Sequence, residues 1–597
     1  MKKRCEIDMK DTWNLEDIIP GNEAWEELYE EARGLLKEYQ GFQGRLGESA
    51  KTLLSALQFE DRISLMIEKL YVYARMKSDQ DTGNQENQAR FGRAQALYVE
   101  AAERSSFMAP EILDIAPETI RRYMEEEGGL QLYKRLMGML FQKKDHTLSK
   151  EMEALLAQSA DATQGASQIF TMFNNADVKF PVITGENGEE LPVTHGTYVS
   201  LLENRDRRIR RDAFLSLYSV YAQYQNTLAA TFSANVKQAL FYARARGYES
   251  SRQHSLGENE VPEQVYDNLV EAVRKGLPLL HRYVGIRKKA LGLEDLHMYD
   301  LYVPMAAEGN RKYTIGEAKE LVLEGLKPLG EEYGNLLKEG FENRWIDVYE
   351  NEGKRSGAYS WGVYGVHPYV LMNFNGTLND VFTLAHEMGH SIHTYYSNEA
   401  QPYVYSGYKI FVAEVASTCN EALLIRYMLE RTTDQKERLY LINHFLESFR
   451  GTMFRQTMFA EFEQQAHQMA KEGKPLTAQG LGQLYHQLNV DYFGPELTVD
   501  EEIDHEWERI PHFYTPFYVY QYATGFSAAV AISSAILKGD EQVTSGYRKF
   551  LQGGCSRQPV ELLKLCGVDL STKEPIENAL EVFGQLLDQF ESEGGLR

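Results

Sequence analysis

The sequence predicts a mainly α-helical protein with small β insertions. Apolar residues recur three and four positions apart over long stretches, as in EAWEELYEEARGLLKEY and ISLMIEKLYVYARMKS. The chain holds only 17 prolines in 597 residues and is rich in helix formers. Alternating apolar and polar residues, the mark of strands, are confined to two short regions.

In chain order, amphipathic helices are expected from Glu23 to about Tyr133, and a further helical region over Lys150–Asn174. The period then changes. VKFPVITGENGEELPVTH alternates around Gly185-Glu186-Asn187-Gly188, which is a hairpin signal. Helices resume near Tyr198 and run to about Gly340. Between Trp345 and Gly376, GKRSGAYSWGVYG reads as a Gly-rich loop or hairpin, and Tyr369–Phe374 as a short strand. From Leu378 the pattern is helical nearly throughout. No repeats or low-complexity tracts occur. The organisation expected is an N-terminal helical region over 1–110, a helical segment with a β-hairpin over 111–195, and a large helical region over 196–597.

A chain of this length buries an ample core without staples. With 43% hydrophobic and 25% charged residues it is globular in composition rather than disordered. Lys plus Arg number 63 against 87 Asp plus Glu, a formal charge of −24, which repels a phosphate backbone and excludes nucleic acid as the expected partner. The strongest basic run, Arg205 to Arg211, is interrupted by Asp206 and reads as a solvated helix face. Cys5, Cys419, Cys555 and Cys566 form no CxxC and no disulfide framework, which fits a reducing compartment. The basic start MKKR is followed by no apolar run of a secretory signal. The most apolar window, about Phe526–Leu537, is shorter than the ~20 residues of a membrane span. No membrane association and a cytoplasmic location are therefore expected.

One motif carries chemistry. TLNDVFTLAHEMGHSIHTYY contains His386-Glu387-Met388-Gly389-His390, an HExxH, which chance produces about 0.05 times in a chain of this composition. Thr377 with Asp380 has the spacing of a capping box that starts a helix. On that helix His386 and His390 lie one turn apart on one face, so both imidazoles reach one metal. Glu387 is rotated by about 100° and can touch a water there. A preceding strand, Tyr369–Phe374, would offer an edge for an extended peptide. A catalytic zinc needs a third protein ligand. The metzincin pattern fails, because position 393 is His and position 396 is Tyr. In the 30 residues after His390 the acidic candidates are Glu399 and Glu414. A helix returning after the Pro402–Gly407 loop could present Glu414. Glu421, seven residues on, faces the same way and can orient a ligand imidazole. His393 reads as a packed histidine rather than a ligand.

At these residues the chain resembles the oligoendopeptidase F and thimet oligopeptidase family of zinc metallopeptidases. TLAHEMGHSIH, AEVASTCNE, IPHFYTPFYVYQYATG, TWNLEDIIPGNEAW and GKRSGAYSWG carry the resemblance. It implies a large two-lobed helical metallopeptidase enclosing a deep substrate channel. It also implies one catalytic Zn2+ and an endopeptidase acting on internal bonds of short, unstructured oligopeptides. Water activated at the zinc would attack the peptide, with Glu387 as general base. By the same resemblance His386, His390 and Glu414 are the metal ligands, and Glu421 stands beside them. His512 matches a histidine that contacts substrate or the developing oxyanion, and Tyr518 and Tyr522 match tyrosines that face the zinc. The thimet branch has glycines between that histidine and the first tyrosine, whereas 513–517 here has none, which makes Tyr514 a rival to Tyr518.

Three other readings stand beside this one. A peptidyl-dipeptidase or carboxypeptidase of the same chemistry would need a cation for the substrate carboxylate, with Arg355, Arg509 and Lys409 as candidates. A di-iron carboxylate protein would use ExxH pairs such as Glu294–His297 and Glu502–His505. A non-catalytic peptide-binding helical scaffold would have no need of Glu387.

Overall fold

Long amphipathic helices dominate, as the periodicity dictates, and strands of two or three residues complete the regular structure. The computed structural model describes residues 2–149, 152–153, 155–156, 159, 163–306 and 311–596. Of the helical region expected over 150–174, residues 150–151, 154, 157–158 and 160–162 lie outside the described residues. Gly165–Met172 is α-helical. The expected hairpin forms, with Ile183–Thr184 antiparallel to Glu190–Leu191.

The chain makes two compact units, each from three separate segments. The first comprises Met1–Lys150, Arg311–Leu424 and Ala535–Gly567. Its core runs through the N-terminal helices Asn22–Leu35 and Ala50–Asp79 and includes the buried Trp13, Trp25, Leu70 and Tyr73 together with Val363, Tyr369 and Leu371. The N-terminal TWNLEDII segment is bound into this core by hydrogen bonds. Asn14 N–H donates to Arg344 O at 2.9 Å, and Tyr369 Oη to Asn14 O at 3.0 Å. The second unit comprises Glu151–Asn310, Ile425–Ser534 and Val568–Arg597. Helices Arg207–Ala245, Glu263–Ala290, Arg455–Lys471 and Ala478–Phe493 build it.

A three-stranded sheet of the first unit corrects one expectation. Its order is Ile346–Asp347, Tyr369–Leu371, Tyr359–Trp361, the first pair parallel and the second antiparallel. The strand expected over Tyr369–Phe374 ends at Leu371 and lies in the centre. Tyr369, Val370 and Leu371 are all fully buried, as an apolar run flanked on both sides should be. It therefore presents no edge to a peptide. Tyr359–Trp361 does, since among the described residues no strand pairs with its outer side.

The basic run of the second unit departs from its expected solvated face. Arg210 is 3% exposed, and its Nη2 donates to Asp300 Oδ1 at 2.7 Å, while Arg207 donates to the same carboxylate. A buried Asp needs such pairing, and it takes Arg210 out of water while Arg207 stays partly exposed. Among the described residues the four cysteines form no disulfide with one another. Among the described residues no helix is long and apolar enough to cross a membrane.

Candidate active site

The HExxH lies on helix Leu378–Ala400 of the first unit. That helix starts where the sequence signals. Asp380 N–H donates to Thr377 Oγ1 at 3.2 Å, and Thr377 N–H to Asp380 Oδ2 at 2.9 Å, a reciprocal capping box. The acidic first turn also complements the helix dipole. The next long helix, Ile410–Arg431, carries Glu414 and Glu421. The two helices pack backbone to backbone at Gly389, where an added Cβ would stand 2.6 Å from Ser417 Cα and 2.9 Å from Ala416 O. Asn420 fastens the pair, donating from Nδ2 to Ala385 O at 3.0 Å and accepting from Tyr333 Oη at 2.9 Å.

This packing brings His386, His390 and Glu414 together, each offering one ligand atom within 4.8 Å of the others. Glu414 Oε2 is 3.4 Å from His386 Nε2 and 3.6 Å from His390 Nε2. The two Nε2 atoms are 3.2 Å apart. Two ring nitrogens and a carboxylate oxygen converging on one point are the donor set that a small divalent cation requires. Glu421 Oε1 lies 2.6 Å from His386 Nδ1, which directs the Nδ1 proton to that carboxylate and leaves Nε2 as the nitrogen that a metal would take. Ser417 Oγ donates to Glu414 Oε2 at 3.1 Å. The residues present thus fit a zinc ion. Among the described residues no other group of three potential ligands occurs, so neither Glu294–His297 nor Glu502–His505 forms such a centre.

The electrostatics favour positive charge at this point. Burial opposes protonation of His386, but Glu414 and Glu421 outweigh it and raise the pKa well above the ordinary histidine value. Burial likewise opposes ionisation of Glu414, yet the two imidazoles draw its pKa down to about 2. His390 is lowered to about 4 by burial and by the charge on His386.

Glu387 is 7% exposed. Burial raises its pKa to about 7, while His386 and the backbone N–H of Ser360 act the other way. Ser360 is the middle residue of the edge strand, and its Oγ lies 2.8 Å from Ser391 Oγ on the motif helix. The strand is thereby locked beside Glu387. Glu399, the other candidate ligand, does not enter the metal group. His393 is 1% exposed and stacks on Tyr408 at 3.8 Å, a packed histidine as expected.

His512, Tyr518 and Tyr522 form a second cluster, in the second unit. His512 and Tyr518 stack with centroids 5.9 Å apart, and Tyr518 meets Tyr522 edge-on at 5.5 Å. His512 Nε2 lies 3.2 Å from Tyr522 Oη. Burial and the Arg455 charge lower the pKa of His512. Tyr514 takes no part in this cluster and stacks instead on Phe170 at 4.2 Å. Two cations considered as substrate anchors are engaged elsewhere. Arg509 donates to Glu506 at 3.1 Å, and Arg355 pairs with Asp79 at 3.5 Å.

Sequence reasoning missed Ser360, Ser417 and Asn420. Ser417 was within reach, since it stands three residues after Glu414 on the same helix. Ser360 carried no signal, because its role depends on a strand pairing that only the fold defines.

Comparisons with known proteins show the family. The model of Peptidase family M3 matches residues 200–582, and that of Oligopeptidase F matches residues 111–180. Oligopeptidase PepF of Bacillus subtilis (strain 168) is 48% identical over 588 residues, covering 98% of this chain and 88% of that relative. The oligoendopeptidase F homolog of Lactococcus lactis subsp. lactis (strain IL1403) is 44% identical over 591 residues, covering 99% and 98%. The crystal structure of oligoendopeptidase-F from Enterococcus faecium matches with a TM-score of 0.76 at 41% identity, covering 95% of this chain and 98% of that one.

Proposed function

The chain belongs to peptidase family M3, as a metalloendopeptidase of the oligoendopeptidase F type, and from that premise we propose that it uses one zinc ion to hydrolyse internal bonds of short, unstructured oligopeptides. The observation that carries the proposal is the convergence of His386, His390 and Glu414 with Glu387 beside them.

Zinc, when bound, supplies Lewis acidity, polarising a carbonyl and lowering the pKa of water towards ~7. His386, His390 and Glu414 hold the ion. Glu421 fixes the tautomer and the direction of His386. Glu387 accepts the proton of the attacking water on its carboxylate and returns it to the nitrogen of the leaving amine. The N–H of Ser360 steadies that carboxylate between the two transfers. His512 and Tyr518 are the proposed donors to the developing oxyanion, and Tyr522 orients His512 through its hydroxyl. The edge strand Tyr359–Trp361 offers backbone groups to an extended peptide. A channel, which the family resemblance implies, would admit flexible chains and exclude folded domains. The cysteine spacing, with no CxxC, supports a reducing, cytoplasmic setting.

The direct test is Glu387→Gln. Turnover should fall by about 10²–10⁴-fold, the usual worth of a positioned general base, with one zinc per chain retained. Glu414→Ala should lose metal as well as activity. Retained turnover in Glu387→Gln would remove the assignment.

A further inference from the structure

We propose that Glu463, a residue outside both site clusters, is a positioning residue that sets the substrate-facing aromatic segment by holding Phe517 in a left-handed turn. The proposal rests on the reading above that His512 and Tyr518 touch substrate.

His512 and Tyr518 stack at 5.9 Å across a segment that contains no glycine over 513–517. Phe517 takes the left-handed conformation instead, at φ +55°. A side chain with a Cβ occupies that region only where its surroundings enforce it. Here the enforcement is explicit. Phe517 is 2% exposed, and its N–H donates to Glu463 Oε1 at 2.7 Å. Glu463, at 1% exposure, lies on helix Arg455–Lys471. Among the described residues its Oε2 has no hydrogen-bond partner, and the Phe517 amide is the one group this buried carboxyl serves.

Four further contacts complete a cradle. His467, one turn along from Glu463, packs its ring against Phe517 at 4.7 Å. Ser251 Oγ lies 2.7 Å from His467 Nδ1, and Ser255, one turn along the same short helix, donates from Oγ to Pro516 O at 2.7 Å. Asn235 Nδ2 donates to Phe513 O at 3.1 Å. Carbonyls 513 and 516 and amide 517 are thus fixed from three helices, leaving Tyr518 and His512 stacked together. A buried, singly employed carboxyl is costly unless it serves a purpose. Burial keeps its pKa high, up to about 8, so a neutral acceptor suffices and Gln can replace it. Positioning of this kind acts on the transition state, where small displacements of a donor are expensive.

The test is a double-mutant cycle on the zinc-loaded enzyme with a fluorogenic oligopeptide. Glu463→Leu keeps a buried side chain of similar size and removes the acceptor. It should lower kcat by about 10–100-fold with KM changed less than about twofold and zinc content unchanged. Glu463→Gln should recover most of that loss. In a Tyr518→Phe background, Glu463→Leu should add no further loss, because both act through one hydroxyl. Should Glu463→Leu fail to fold, Ser255→Ala, which frees only the Pro516 carbonyl, asks the same question with the same expected kcat loss. Multiplicative losses in the double variant, or a Leu variant with the kcat of the parent, would overturn the positioning role while leaving the site reading intact. Full kcat in Tyr518→Phe would overturn the site reading and the proposal with it.

Discussion

At the scale of the residue, the site works by unequal burial of a few titratable groups. Glu421 has no contact with the metal position, but it holds His386 Nδ1 at 2.6 Å. Its removal leaves that imidazole free to rotate and to change tautomer. Glu421→Ala should weaken zinc affinity by about 10–100-fold, measured by competition with a chromophoric chelator. Unchanged affinity would reduce Glu421 to a packing role. Glu463 makes a separate prediction about pH. Burial raises its pKa to about 8, the Phe517 N–H pulling the other way, whereas the unfolded chain titrates near the ordinary 4.5. Between these values the folded state holds the proton and the unfolded state releases it. The contribution of this group to stability is therefore complete below about 4.5 and is lost as pH rises towards about 8. The groups facing it, His467 and Tyr266, do not reverse the sign, since both stay neutral across that range: burial lowers His467 to about 3 and raises Tyr266 well above its usual value. Denaturant midpoints of Glu463→Gln should therefore rise relative to the parent between pH 5 and pH 8. A difference that does not vary with pH would contradict the shift.

At the scale of the element, two helices and one strand make the metal site. Their fit depends on Gly389, which lets Leu378–Ala400 and Ile410–Arg431 approach until a Cβ would collide with the backbone at Ser417. Gly389→Ala should cost about 1–3 kcal/mol and lower zinc occupancy, read from urea midpoints and metal content. Parental values for both would show that the helices have room to spare. This is also where the sequence was most and least informative. The motif helix was legible because its signals are local: a capping box, a period of 3.6 and ligands four apart. Glu414 was one of two acidic candidates after the motif, and the family resemblance singled it out from Glu399. The sheet was not legible, because Ile346 pairs with Val370 and Tyr359 with Leu371, and nothing in YVL or YSW says which lies in the centre. The tie between Glu463 and Phe517 spans 54 residues and belongs to no motif. Tyr514 and Tyr518 were separable only once the stacking of Tyr514 on Phe170 was visible.

At the scale of the whole molecule, the chain threads between two discontinuous units, the HExxH and its glutamates in the first and the aromatic cluster in the second. The proposed activity is internal cleavage of short peptides by the metal and Glu387. The most direct test is mass spectrometry of products from unstructured peptides of graded length, with and without a chelator, using Glu387→Gln as the control. The account predicts internal cuts that cease with chelator or with Glu387→Gln and that fade as the peptides lengthen. Dipeptides released stepwise from one end, or cuts that persist in Glu387→Gln, would contradict it.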